Sequence, residues 1–189
     1  KHAFACSNCT TAMHVGTQIF DIKPGDEVIV TPNTFVATSL AILKEGGVPV
    51  FADIDPRTFN IDPAEVAKKI TNKTKAIYVV HYAGLMVDMD PIMEIARKHG
   101  LKVLEDCAHA TGESYKGRMA GSIGDFGAFS FHSLKNITTW ENRLSTYFIE
   151  NGSYLKLRTL QLGYTLPKRW AFKVKMDKFR LYVSGQNLL

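Results

Sequence analysis

The sequence predicts an α/β protein in which helices cover both faces of a mostly parallel sheet. Two observations lead to this fold class. Apolar, strand-like runs alternate with helix-like stretches across the first 139 residues, and the connections between them are short. The chain has 189 residues, 46% of them hydrophobic, which is enough for one sizeable core. The predicted strands are 2–5, 27–31, 48–52, 76–80 and 101–105, and the predicted helices are 10–20, 35–45, 63–70 and 89–99.

Local signals mark where these elements start and stop. Asp62-Pro63 and Asp90-Pro91 each place a capping residue before a proline, which favours the first turn of a helix. The segments 23–26 and 98–100 contain glycine and end two of the helices before the next strand. This order of signals supports repeated strand–helix units in the first part of the chain.

The charge of the chain is unevenly distributed. Residues 1–139 carry a net charge of −1, whereas residues 140–189 carry +6, and together they give the overall +5. Such a basic end is typical of a segment that binds nucleic acid or a membrane surface. Here we interpret it instead as a sign that residues 140–189 have a different evolutionary origin from residues 1–139. The sequence shows neither a signal peptide nor an apolar run that would span a membrane. We therefore expect a cytoplasmic protein, and the start at Lys1 without a methionine predicts a fragment.

Three cysteines, Cys6, Cys9 and Cys107, are an odd number for a disulfide framework. Reduced thiols are therefore the expected state. The Cys6-x-x-Cys9 spacing is that of half a zinc or redox site, but no second Cys pair or nearby His pair completes it. We predict no metal site.

Right-handed crossovers place the loops that follow the strands at one edge of the sheet, where ligands bind. After the first predicted strand, small polar residues lead into a helix, and Thr10 and Thr11 at its start are candidates to bind a phosphate. An ordinary helix cap has the same composition and remains an alternative. After the second strand, Phe35 is positioned to stack on a flat heterocycle, although packing in the core explains an aromatic residue equally well.

Asp106 and Lys135 are the most informative residues of the sequence. Asp106 ends the apolar run of the fifth strand, and Lys135 closes a short segment in an apolar neighbourhood. A buried carboxylate requires a cation, and a protonated pyridine is one. A carboxylate and an amine at strand ends are what pyridoxal phosphate enzymes use to hold their cofactor. A salt bridge or helix cap for Asp106, and a solvated surface position for Lys135, are the alternatives.

Two histidines and a serine follow the same strands. His81 comes directly after the fourth strand, and His109 lies three residues beyond Asp106. Each histidine is either part of a site or a hydrogen-bonded core residue. Ser130 precedes Lys135 by five residues and is a candidate for the same phosphate as the two threonines.

Four segments resemble the DegT/DnrJ/EryC1/StrS sugar aminotransferases in order and spacing. They are Gly25 to Val30, Thr34 to Thr38, Glu105 to His109 and Phe129 to Asn136. The pairing of His81-Tyr82-Ala83-Gly84 with residues 130–138 is similar to the branch that acts on UDP-4-keto sugars. The resemblance implies a partial large domain of the fold-type I pyridoxal phosphate aminotransferases over residues 1–139.

The family resemblance also implies roles for individual residues. Lys135 would form the Schiff base and carry protons, and Asp106 would pair with the pyridine nitrogen. The remaining cofactor contacts would be stacking by Phe35, a position beside the ring hydroxyl for His109, and phosphate binding by Thr10, Thr11 and Ser130. The implied reaction moves an amino group, usually from glutamate, to a nucleotide-linked keto sugar in a homodimer, with no nucleic acid involved. Cys9 stands where the family commonly has glycine.

Residues 140–189 depart from this family pattern. They resemble the last strands of SusC/RagA-type TonB-dependent outer-membrane transporters, and the alternation over 179–184 fits a strand with one apolar face. We therefore expect a boundary between 1–139 and 140–189, and a β-rich tail. The alternative for the whole chain is a transporter fragment joined by a hybrid reading frame. We expect that the chain descends from an aminotransferase but has little activity as it stands, because the family's small domain and partner loops are missing.

Overall fold

The computed structural model describes residues 2–132 and 134–137, together with the backbone of 159–165 and 180–186. The chain divides into two compact units, Lys1–Ser145 and Thr146–Leu189. No helix within the described part combines the length and apolar character needed to cross a membrane.

The first unit is built on a five-stranded sheet in which every pairing is parallel. The sheet strands are β1 (Glu27–Val30), β2 (Val48–Phe51), β3 (Thr74–Val80), β4 (Lys102–Asp106) and β7 (Phe126–Ala128). Their order across the sheet is β2-β1-β3-β4-β7. The helices are α1 (Cys9–Ile19), α2 (Ala37–Lys44), α3 (Pro63–Lys68) and α4 (Met89–His99). The predicted α/β class with a parallel sheet is confirmed.

Core side chains lie on both faces of the sheet. They come mainly from β1, β3 and β4, which each have a neighbouring strand on both sides. One cluster contains Val30, Tyr78 and Leu104, together with Met13 of α1. The cluster on the opposite face includes Ile77, Val103 and the α4 residue Ile92. Residues next to each other in a strand point to opposite faces, so strands covered by helices on both sides are apolar throughout.

The start of α3 and the end of α4 follow the signals in the sequence. However, α4 begins at Met89 after Asp88, so the predicted cap at Asp90-Pro91 was wrong and these two residues lie inside the first turn. Asp62 precedes Pro63 and accepts a hydrogen bond from the amide of Ala64 at 2.8 Å, which caps α3. Gly100 ends α4 in a left-handed conformation with φ of 66°, a region that glycine adopts without steric penalty.

The predicted strand 2–5 was wrong. Residues 2–5 are exposed and pair with no strand in the described part of the chain. The ring of Phe4 instead packs against that of Phe126, with 5.9 Å between the ring centroids. Four residues with a single bulky side chain bury too little apolar surface to add an edge strand.

The sequence analysis also missed three short strands. One is β7, which contains a glycine and has only three residues. The other two form a hairpin, β5 (Ser114–Tyr115) with β6 (Arg118–Met119), through the tight turn at Lys116 and Gly117.

In the second unit, β8 (Thr159–Thr165) pairs antiparallel with β9 (Arg180–Gln186). The predicted strand over 179–184 overlaps β9. The predicted boundary after residue 139 stays a prediction, and residues 140–158 lie outside the described part.

Candidate active site

The carboxyl ends of four parallel strands carry the candidate residues. β1 leads into the segment that contains Phe35, β3 leads to His81, β4 ends at Asp106, and β7 is followed by Ser130. Since all four strands run in the same direction, these positions share one edge of the sheet.

Asp106 is buried, with 4% of its surface exposed, and it is held by two donors. The hydroxyl of Thr38 donates to Oδ2 at 2.9 Å, and the amide of Ala108 donates to Oδ1 at 3.0 Å. Thr38 is itself fixed at the start of α2, where its hydroxyl contacts the carbonyl oxygen of Phe35 at 3.1 Å. The carboxylate is therefore kept in one orientation at the sheet edge, as a residue that must face a cationic ring nitrogen would be.

Lys135 is half-buried, and its charge acts on residues around Asp106. The pKa of His109 is lowered first by burial and then by the nearby Lys135 ammonium, while the Asp106 carboxylate acts in the opposite direction. Burial raises the pKa of Cys9 to about 12, and the charges of Asp106 and Lys135 act on this thiol as well. The structure thus brings Lys135, Asp106, His109 and Cys9 into one neighbourhood.

The start of α1 forms a cradle of hydroxyl and amide groups. The side-chain oxygen of Asn8 accepts hydrogen bonds from the Thr11 amide at 2.9 Å and from the Thr11 hydroxyl at 3.2 Å. Ser7 contacts the same hydroxyl at 3.1 Å, and Thr10 lies half-buried beside it. The first turn contains no acidic residue, so the positive end of the helix dipole faces this cradle without competition. Both the capping and the phosphate interpretation of this segment fit these contacts.

Phe35 and Ser130 differ in exposure. The Phe35 side chain is 73% exposed, which excludes the interpretation that it fills the core of this unit. Its ring is thus accessible for stacking. Ser130 is buried and follows β7 at the same edge of the sheet.

His81 is a core residue. It is fully buried, its Nε2 donates to Oε2 of Glu105 at 3.0 Å, and its Nδ1 accepts from the amide of Val87 at 3.1 Å. The ligand atoms of His81, Glu105 and Cys107 lie within 4.8 Å of one another, as metal ligands would. However, both ring nitrogens of His81 and both Glu105 oxygens already take part in hydrogen bonds, and burial raises the pKa of Cys107. This group is a hydrogen-bonded core cluster.

Three residues that hydrogen-bond candidate residues or the loops next to them were missed in the sequence. Thr38 holds Asp106, Asn8 holds Thr11, and Glu105 holds the loops behind the sheet edge. The adjacent pair Glu105-Asp106 offered a signal, because neighbouring strand residues face opposite sides and two buried carboxylates need two separate sets of donors.

The residues present fit pyridoxal phosphate. A buried, doubly hydrogen-bonded carboxylate faces the edge of the sheet, a lysine amine lies in the same neighbourhood, and an aromatic ring is exposed nearby. The cradle at the start of α1 supplies donors for a phosphate. These are the chemical groups that the cofactor requires.

Comparisons with known proteins agree with this arrangement. Residues 1–143 match the DegT/DnrJ/EryC1/StrS aminotransferase family. GDP-perosamine synthase of Caulobacter vibrioides is 49% identical over 146 residues, which are 77% of this chain and 39% of that protein. Spore coat polysaccharide biosynthesis protein SpsC of Bacillus subtilis is 49% identical over 190 residues, which cover 96% of this chain and 49% of the relative. The chain thus spans half or less of the length of these relatives.

The alignment with SpsC bears on residues 140–189. It covers 96% of the chain and therefore continues past residue 143. The findings do not support the alternative that the chain is a transporter fragment. The resemblance of the tail to outer-membrane transporters is not shown and stays a prediction.

Solved structures show the same fold and cofactor class. The aminotransferase from Psychrobacter cryohalolentis has a TM-score of 0.69 and 52% identity, over 70% of this chain and 34% of that one. The PLP form of the sugar aminotransferase Spr1654 from Streptococcus pneumoniae has a TM-score of 0.68 and 36% identity, over 71% and 38% of the two chains. The predicted cofactor class is confirmed for the family. With a match over three quarters of its length, the chain belongs to the DegT/DnrJ/EryC1/StrS aminotransferase family.

Proposed function

We propose that this chain carries the cofactor-binding part of an aminotransferase that moves an amino group onto a nucleotide-linked keto sugar. The observation that carries the proposal is the buried Asp106, held by two donors at the end of β4, in the same neighbourhood as Lys135. When bound, pyridoxal phosphate supplies an electron-accepting ring that stabilises negative charge on the carbon bearing the amino group.

Each candidate residue has a distinct task in this proposal. Lys135 holds the aldehyde carbon of the cofactor through its amine and carries the proton between the two reacting carbons. Asp106 keeps a proton on the ring nitrogen, because its own carboxylate is fixed and buried. Phe35 would stack on the heterocycle, and His109 would lie beside the ring hydroxyl. The phosphate is bound by Thr10, Thr11 and Ser130.

The substrate class rests on the relatives. One relative is named GDP-perosamine synthase, after a nucleotide-linked sugar, and another is named a spore coat polysaccharide biosynthesis protein. We propose glutamate as the amino donor and a nucleotide-linked keto sugar as the acceptor. The branch that uses UDP-4-keto sugars remains our preferred assignment.

We further propose that the full-length protein acts as a homodimer in the cytoplasm. The described part leaves large apolar side chains on its surface, including Leu40, Leu43 and Phe51, each close to half exposed, and a second subunit would cover such surface. All three cysteines are free thiols, which is typical of a reducing compartment.

The test is an absorbance titration of the purified chain with pyridoxal phosphate. We expect a visible band that borohydride abolishes, with the reduced cofactor located on Lys135 by peptide mass spectrometry. In Lys135→Ala the band should be lost, whereas Lys98→Ala at the exposed end of α4 should retain it. A reduced adduct on several surface lysines, or an equal band in Lys135→Ala, would refute the assignment.

Turnover is a separate question from cofactor binding. Because the chain spans half or less of its relatives, we expect the loaded chain to lose its visible band slowly with glutamate and to aminate keto sugars weakly. UDP-linked and GDP-linked 4-keto sugars should be compared, with product detected by mass spectrometry. Rapid turnover would show that these 189 residues suffice for the substrate site and would contradict the expected weak activity.

A further inference from the structure

Glu105 precedes Asp106 in β4, but its side chain lies on the opposite face of the strand and is fully buried. Four hydrogen bonds reach its carboxylate. Oε2 accepts from Nε2 of His81 and from the amide of Gly121, both at 3.0 Å. Oε1 accepts from the amides of Ile123 at 2.8 Å and Gly124 at 2.6 Å. Burial alone would raise the pKa of Glu105, but His81 and the amides of Gly124 and Gly121 lower it below its ordinary value. The carboxylate is therefore ionised at neutral pH.

The contacts of His81 determine where its proton lies. Its Nδ1 faces the amide of Val87 at 3.1 Å, and a backbone amide can only donate. Nδ1 must therefore be the acceptor, so the proton is on Nε2, from which it is donated to Glu105. His81 is thus a neutral ring in a single tautomer, and the pair is a charge-assisted hydrogen bond.

The same reasoning applies to His109 in the candidate site. The amide of Ala83 donates to Nδ1 of His109 at 3.3 Å, which leaves the proton on Nε2. Ala83 lies in the short 3-10 turn Tyr82–Gly84 that follows His81, and its own φ is 52°, a left-handed conformation. The position of this turn, and with it the tautomer of His109, depends on where His81 is held.

The other segment that hydrogen-bonds the Glu105 carboxylate leads to the rest of the site. The amides of Gly121, Ile123 and Gly124 belong to the turn that enters β7. Beyond β7 come Ser130 and Lys135. One buried carboxylate is therefore bonded both to His81, whose following turn contacts His109, and to the turn that leads into β7 and Ser130.

We propose that Glu105 is a positioning residue of the cofactor site, which fixes His109 as an Nε2–H donor toward the cofactor's ring hydroxyl and fixes the entry to β7. This inference rests on the proposed function for the identity of the group that His109 faces. Glu105 itself does not touch the cofactor. It acts through His81 on one side and through the turn before β7 on the other.

The first experiment uses the wild-type chain without cofactor. Long-range ¹H–¹⁵N spectra of the chain labelled at histidine should show His81 and His109 with the proton on Nε2 at pH 7.5. A proton on Nδ1 of His81 would overturn the proposal, whatever the variants do. This experiment needs no cofactor, so a failure of the tautomer assignment can be distinguished from a failure of the proposed function. The proposed function is tested by the pyridoxal phosphate titration with Lys135→Ala.

The second experiment uses Glu105→Gln, which has the same shape but turns one acceptor into a donor. The new NH₂ group meets two donors, Nε2–H of His81 and the Gly121 amide, so the loops must shift. We expect a mixed tautomer for His109, about tenfold weaker binding of pyridoxal phosphate, and a visible band that titrates at a different pH. Glu94→Gln, on the exposed face of α4, is the matched control and should behave as wild type.

Stability must be separated from positioning. Affinity is therefore measured at a temperature at which circular dichroism shows each variant to be folded. Glu105→Asp retains the charge with a shorter reach and should recover part of the affinity, and it serves as the test variant if Glu105→Gln does not fold. The proposal would be overturned by a folded variant at position 105 that matches the wild type in three respects. These are its affinity for pyridoxal phosphate, the pH at which its visible band titrates, and the tautomer of His109.

Discussion

Asp106 and Glu105 are neighbours in the chain with different tasks, because a strand directs consecutive side chains to opposite faces. Asp106 receives one hydroxyl and one amide at the edge of the sheet, whereas Glu105 receives one imidazole and three amides behind it. The two donors that reach Asp106 fix its orientation toward the site edge. The four donors of Glu105 come from His81 and from the turn before β7, so this carboxylate holds the two segments together.

At the residue scale, Asp106→Asn should weaken the binding of pyridoxal phosphate by tenfold or more, equivalent to about 1.4 kcal/mol. A neutral amide cannot form an ion pair with a protonated ring nitrogen. The measurement is a fluorescence or absorbance titration with the cofactor. Asp21→Asn, on an exposed ion pair with Lys23, is the control, and equal affinity in both variants would contradict the role of Asp106.

The three thiols should differ in reactivity. Cys6 is half-buried, whereas Cys9 and Cys107 are buried, and burial raises the pKa of Cys9 to about 12 and raises that of Cys107. Because the thiolate is the nucleophile, we expect iodoacetamide at pH 8 to modify Cys6 first in the folded chain. Peptide mass spectrometry with and without denaturant gives the order. Fast modification of Cys107 under native conditions would contradict the packing around it.

At the scale of elements, the attachment of β7 depends on a close approach between two backbone segments. A Cβ built on Gly127 would lie 2.4 Å from Cα of Gly121, and one built on Gly124 would lie 2.7 Å from the carbonyl oxygen of Val103. No side chain fits at these positions without movement of the backbone. The turn that Glu105 holds and the strand that leads to Ser130 are therefore packed against each other.

Gly127→Ala should consequently lower the free energy of unfolding by about 3 kcal/mol, the upper part of the range for overpacked sites. Gly112→Ala is the matched control, since nothing lies within 4 Å of its Cβ and only its φ of 90° is unfavourable, which should cost about 1 kcal/mol. Urea unfolding followed by circular dichroism at 222 nm reports on both variants, because the described helices all belong to the first unit. Equal losses in the two variants would contradict the close packing at Gly127.

At the scale of the whole molecule, the stability of the first unit should depend on pH through Glu105. The pKa of this carboxyl in the folded chain is lower than its ordinary value of 4.5. A lowered pKa contributes stability above the unfolded value, and this contribution is lost as the pH falls through the folded value. We expect the free energy of unfolding to decrease as the pH falls below about 4.5.

The variant Glu105→Gln isolates that contribution. It should be less stable than wild type at pH 7 and should show a smaller decrease between pH 5 and pH 3, because its amide does not titrate. Urea unfolding at several pH values gives both numbers, and Glu94→Gln should follow the wild-type curve. Parallel curves for wild type and Glu105→Gln would assign the acid sensitivity to other carboxylates.

The division of the chain leads to a prediction about its first unit. Residues 1–145 contain the five-stranded sheet, the described helices and every candidate site residue. We expect this segment, expressed alone, to keep the helical circular dichroism signal and the borohydride-sensitive cofactor band of the full chain. A band that only the 189-residue chain forms would show that residues 146–189 contribute to the cofactor site.

Much of the fold could be predicted from particular residues. Val28 to Val30, Ile77 to Val80 and Val103 to Leu104 are buried apolar runs, and runs of this length between turn signals are typical of buried parallel strands. The strand β7 was not predictable in this way, because Phe126-Gly127-Ala128 is short and its glycine is explained only by the neighbouring backbone of Gly121. The error at 2–5 also arises because pairing is not visible in a local pattern. Strand propensity over four residues does not produce a strand unless a neighbouring strand pairs with it, and residues 2–5 pair with none in the described part of the chain.

The sequence by itself determined the fold class, the family and the order of the candidate residues, because hydrophobic period and motif spacing are properties of the chain. The tertiary structure decided which polar residues face the site and which face the core. His81 and His109 each follow a strand, yet one is locked to Glu105 and the other lies beside Asp106 and Lys135. Hydrogen bonds between residues far apart in the chain make this distinction, and no local pattern encodes them.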